Sequence, residues 1–322
     1  MGFDGEAFES RLVWIFGSTR SGSTWLLRLL CHPLTLPFEP EEGLGFSLPE
    51  EARNGPPLDV LPVNEFLLGH HLAPLTGEPI KRADGQYVPA TVNSFWSPSA
   101  DYAMSRHFED VWRPELRRLA LSRLHAVVER ASTRFRLGAN PAVVIKDVGT
   151  SHAARETMSL LPRSRLLFLV RDGRDVIDSL VHAAQPGSWF ARIAKPLITS
   201  NEDRRAFVRQ KAIEWACWTD SCQRAWAAQT PERRRMIRYE ELLTDPAGEL
   251  GSLCEWIGLE RGDSALEAAV RANAFGVNEP TGPTEFARAA TPGLWRQNLS
   301  SEEQRIAIEI MGQRLADLGY PI

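Results

Sequence analysis

The sequence is poor in cysteine. Its four thiols, Cys31, Cys217, Cys222 and Cys254, form no C-x-x-C pair, and Cys31 and Cys217 lie in apolar runs of helical spacing. That argues against a disulfide scaffold or a zinc site and points to a reducing compartment. There is no basic stretch followed by an apolar segment at the N-terminus. No run reaches the roughly 18 apolar residues of a membrane span. The expectation is a cytoplasmic protein with no membrane span. A charge excess is also missing: 41 acidic residues against 37 basic ones leave a net charge of −4. No global field therefore favours nucleic acid or anionic lipid, and any anion site must be local. No internal repeat and no cluster of metal-ligating residues is visible, so no metal is expected. The 322 residues suit one large α/β domain over 1–322. The abundance of Ala, Arg, Leu, Pro and Gly points to a GC-rich bacterial source.

Short apolar runs at residues 12–16 (LVWIF), 142–145 (AVVI), 166–170 (LLFLV) and 236–239 read as buried parallel strands. Helical spacing covers residues 23–31, 114–135, 150–161, 172–184 and 203–228. A last helix begins at Ser300, where Ser300 and Glu303 form a capping box, and stops near Gly319. Strands alternating with helices predict an α/β fold of three layers, a central parallel sheet with helices on both faces. Such sheets bind ligands at the carboxyl ends of their strands. Between residues 33 and 114 prolines recur and long regular elements are not expected. The stretch 33–140 reads as an insertion that forms a lid or an acceptor-binding wall.

The first strand runs into Gly17-Ser18-Thr19-Arg20-Ser21-Gly22-Ser23-Thr24-Trp25. This is nearly the G-x-x-x-x-G-K-[ST] loop of nucleotide hydrolases, with Ser23 in place of the lysine that reaches the β- and γ-phosphates. Without that lysine a triphosphate loses its main charge clamp. The loop can still cradle one phosphate: helix N-terminal N–H groups from Gly22 onward point outward, Arg20 supplies charge, and Ser23 and Thr24 supply hydroxyls, with Ser21 a further binding position of the same loop. Trp25 offers a face for a base. A second turn follows the strand 166–170, with Arg171 at the strand end and Ser179 on the next helix. A guanidinium fork and a hydroxyl can hold one phosphate there. Asp172 can cap that helix and Asp175 sits in its first turn.

Both turns resemble motifs of the sulfotransferases that use 3′-phosphoadenosine-5′-phosphosulfate (PAPS). Residues 20–25 match the 5′-phosphosulfate loop [KR]-[ST]-G-[ST]-[ST]-W, and residues 171–179 match the 3′-phosphate motif R-[DN]-x-[RK]-D-x-x-x-S at every fixed position. Tyr239-Glu240-Glu241-Leu242 resembles a segment whose tyrosine lies near the adenine. Residues 293–299 resemble the loop before the final helix; the relatives' Arg-Lys-Gly is absent there, leaving Arg288 or Arg296 to substitute near Gly293. The resemblance implies a P-loop-like fold, PAPS as donor, PAP as product, and sulfuryl transfer to a hydroxyl, with a small molecule the expected acceptor.

The resemblance also implies that Lys146 touches the bridging oxygen. Cytosolic relatives place a catalytic histidine two residues later, where this chain has Val148; His152 is close in sequence. Another branch uses a glutamate after the first helix, and residues 38–42 (FEPEE) resemble that segment. Glu39 is the first candidate base, Glu41 the second and His152 the third. The competing readings are a P-loop nucleotide kinase or NTPase, which Ser23 and the Arg171/Ser179 pair oppose, and a PAP-binding module without catalysis.

Overall fold

The computed structural model describes residues 4–36, 44–72, 80–81, 87–88, 99–185, 188, 198–274 and 291–322. Five strands form one sheet: β1 (Leu12–Gly17), β2 (Leu58–Asn64), β3 (Leu137–Lys146), β4 (Arg165–Val170) and β5 (Arg234–Arg238), in the order β2-β3-β1-β4-β5. Every neighbouring pair is parallel. The oldest rule of strands, alternation, decides the layers. Trp14 and Phe16 of β1 and Leu166, Phe168 and Val170 of β4 enter one core; Val13, Ile15, Leu167 and Leu169 enter the other. Both faces are covered, which is why the strands read as continuous apolar runs.

Helices α1 (Ser23–Cys31), α2 (Glu109–Ser132), α3 (Ala154–Leu160), α4 (Gly173–Ala183), α5 (Asn201–Ala228) and α6 (Ser301–Asp317) supply most of the cover. The Ser300–Glu303 capping box is formed, and Gly319 takes the left-handed φ of 76° just beyond the helix end. The fold is the expected P-loop-like α/β architecture.

Of the differences from the sequence reading, two bear on the site. Strand β2 went unread, because Pro62 argues against a strand. Among the described residues it is an edge strand, bonded to β3 alone, with Pro62 opposite Val144, and an edge position tolerates the missing N–H. The strand expected at residues 236–239 is instead Arg234–Arg238, and Tyr239 opens a short helix (Tyr239–Thr244). Glu240 and Glu241 sit in that helix's first turn, where negative charge favours the helical state.

Candidate active site

Strands β3 and β4 flank β1, so their carboxyl ends and the connections leaving them converge. Residues 17–25 leave β1 and enter α1 there. Gly22 caps α1 with φ 90° and no side-chain cap, leaving the first-turn N–H dipoles as an anion cradle. A Cβ at Gly22 would lie 2.5 Å from the Tyr239 ring, so only glycine fits beneath that tyrosine. Arg20 also holds a left-handed backbone, φ 65°.

The second turn closes on the first. Arg171 Nη1 donates to the Arg20 carbonyl at 2.8 Å, and Arg20 Nε donates to Ser179 Oγ at 3.0 Å. The Arg171 guanidinium lies 4.4 Å from the centroid of Tyr239. Trp25 meets the same ring edge-on at 6.1 Å, and its indole N–H donates to the Asn273 carbonyl. Residues from both predicted phosphate sites and the predicted adenine tyrosine thus form one cluster. Burial, and then the neighbouring Arg171 charge, lower the Arg20 pKa. Two guanidiniums held this close are relieved by an anion. Arg171 Nε is buried and has no protein acceptor among the described residues, so the donor set fits a phosphate-bearing ligand.

The remaining motif residues are structural. Asp172 accepts both an amide and a guanidinium N–H from Arg174, whose side chain is 1% exposed and lies over Trp295. Asp175 accepts the N–H of Gly293 at 2.8 Å and that of Trp295 at 3.4 Å. Asp178 accepts from the Asn298 amide at 2.9 Å. The first turns of α4 therefore anchor residues 293–298 beside the cluster. Gly293 is brought to the site through its backbone. Arg296 is exposed and lies over Trp295.

Lys146 ends β3, buried, with Nζ 3.4 Å from Thr24 Oγ1. Sequence reasoning missed its partner: Glu65, just past β2, whose Oε1 is 2.6 Å from the same Nζ. The signal was hidden because β2 itself was not read. Val148 is buried. His152 packs against His70 and Trp218, with ring centroids 6.0 and 6.4 Å away, and burial followed by the His70 charge lowers its pKa to about 4. Glu39, Glu41 and Arg288 lie outside the described residues. Among the described residues no group of three or more His, Cys, Asp or Glu is placed to hold a metal ion, and no helix is long and apolar enough to cross a membrane.

A family model described as "Sulfotransferase family" matches residues 13–263. The chain belongs to the sulfotransferase family. Mouse sulfotransferase 2B1 is 27% identical over 116 residues, a match that spans 35% of this chain and 32% of that relative's length. Among solved structures, sulfotransferase STF9 from Mycobacterium avium aligns with a TM-score of 0.52 at 14% identity, over 97% of this chain and 78% of that one. Retinol dehydratase in complex with androsterone and inactive cofactor PAP aligns with a TM-score of 0.50 at 15% identity, over 97% and 83%. Mouse sulfotransferase SULT7A1 complexed with PAP gives 0.50 at 12%, over 96% and 84%. These three likenesses concern the fold.

Proposed function

We propose that the protein transfers a sulfuryl group from PAPS to a hydroxyl of a small-molecule acceptor, in the cytoplasm of a bacterium. The observation that carries this reading is the link between the two turns, Arg171 to the Arg20 carbonyl and Arg20 to Ser179. One ligand with two separated phosphates suits that geometry. ATP has no 3′-phosphate to occupy the Arg171/Ser179 end.

In this reading Arg20, Ser23, Thr24 and the first-turn amides of α1 hold the 5′-phosphosulfate, and Arg171 and Ser179 the 3′-phosphate. Gly293 and Arg296 or Arg288 close over the 3′ end, and Tyr239 and Trp25 border the adenine. The donor supplies an activated sulfuryl group on a phosphate leaving group. The protein's part is electrostatic: fixed cations and N–H dipoles face the oxygens where charge builds during in-line transfer. Lys146, beside Thr24, adds an ammonium at the same end. Glu39 receives the acceptor's proton, with Glu41 and His152 as the other candidates.

Calorimetric titration tests the donor. Tight binding of PAP with no binding of ATP–Mg²⁺ is expected, and the reverse result would install the kinase or NTPase reading. Transfer of labelled sulfate from PAPS across a panel of phenols, alcohols, lipids and sugars tests the reaction; PAP binding with no acceptor sulfated would leave a binding module. Glu39→Gln should keep PAP affinity and lower turnover roughly 10²-fold; full activity would remove Glu39 as the base.

A further inference from the structure

Four of the 37 basic residues are lysines, and the rest are arginine. Lys146 is one of the four, it is 7% exposed, and it stands at the phosphate loop. An ammonium has three donors and acts as a compact point charge. One donor faces Glu65 Oε1 at 2.6 Å and another Thr24 Oγ1 at 3.4 Å. Thr24 belongs to the first turn of α1, so an anion cradled there lies within reach of the same ammonium.

Glu65 is built into its place. Its N–H donates to the Lys146 carbonyl at 2.7 Å, its Oε2 accepts the Gly149 N–H at 3.3 Å, and its φ is 58°. Leu67 repeats the pattern, with φ 59° and its N–H on Asp147 Oδ1 at 2.8 Å. Among the described residues the non-glycine positive-φ positions are Arg20, in the phosphate loop, and Glu65 and Leu67, which hydrogen-bond to Lys146 and Asp147 at the end of β3. Such backbones cost free energy and persist where the surroundings over-determine them, most often at functional sites.

We propose that Glu65 is a positioning residue that competes with the nucleotide's 5′-phosphate for the Lys146 ammonium and thereby speeds release of the product. This rests on the nucleotide reading above. The carboxylate steadies Lys146 when no anion is on the loop. With PAP bound it opposes the 5′-phosphate, both by drawing on the same ammonium and by its own charge. Product release limits turnover in many enzymes, so weaker hold on PAP means faster cycling.

The test uses purified full-length protein and two ligands, PAP and adenosine 3′-monophosphate, which lacks the 5′-phosphate. Glu65→Gln is expected to lower the Kd for PAP about tenfold and slow PAP dissociation by a similar factor. Affinity for adenosine 3′-monophosphate should stay unchanged. Glu65→Ala, made in parallel, should give the same selective tightening. Equal or weaker PAP binding in these variants overturns the proposal, and so does an equal change for both ligands. Loss of the fold in both variants overturns it in favour of a purely structural ion pair. Absence of PAP binding in the wild type would overturn the nucleotide reading and take this inference with it.

Discussion

Arg171 is the residue on which the proposed donor site turns. Its guanidinium reaches the Arg20 carbonyl and lies over Tyr239, while its Nε is buried without a protein acceptor among the described residues. Arg171→Ala should weaken PAP binding by about 2–4 kcal/mol, read by calorimetry, because a desolvated phosphate would lose its charged partner. Unchanged affinity would remove Arg171 from the site. His152 makes a different prediction. Burial and the nearby His70 hold its pKa at about 4, whereas the unfolded chain protonates histidine near 6.5. The unfolded state thus binds the extra proton between those values. This group's stability contribution is complete above about pH 6.5 and is lost as pH falls through about 4, by roughly 3 kcal/mol at most. The melting temperature of His152→Gln should therefore fall less than that of the wild type between about pH 7 and pH 4.5. Parallel curves would refute the buried neutral imidazole.

At the scale of elements, α4 does two jobs. Its first turns carry Ser179 to Arg20, and its carboxylates Asp175 and Asp178 fasten residues 293–298. Burial raises the Asp175 pKa, and the two amides it accepts pull the other way. Asp175→Ala should release this segment. Hydrogen exchange at the Gly293 and Trp295 amides should quicken, while α6, fixed by its own capping box and by the Arg204–Glu303 ion pair, should stay protected. Unaltered exchange at those two amides would show that other contacts hold the loop. Strand β2 is the element the sequence concealed. It carries no clean alternation and contains a proline, yet it places Glu65 against Lys146 through its pairing with β3, where Asn64 stands opposite Lys146.

For the whole molecule, the proposed ligand bridges the ends of β1 and β4, which are hydrogen-bonded neighbours in the middle of the sheet. A ligand that binds only the folded chain stabilises it by mass action, about 2.7 kcal/mol at a hundred times its Kd. PAP at that excess should raise the melting temperature of the wild type, and Arg171→Ala at the same concentration should show a much smaller rise. An identical shift in both proteins would place the ligand elsewhere.

What local residues carry, the sequence determined. The apolar strands β1, β3 and β4, the glycine-rich turn, the Ser300 cap and the Arg171–Ser179 motif each depend on a few consecutive side chains, and their types sufficed. Only the tertiary structure decided which residues meet. It joined Arg171 to Arg20, set Tyr239 against Gly22, and turned Asp175 toward Gly293. It also brought Glu65 to Lys146, 81 positions away by their numbers. The physical reason is that parallel pairing is non-local. Neighbouring strands are fixed by the packing of helices across two faces, and no window of sequence contains that packing.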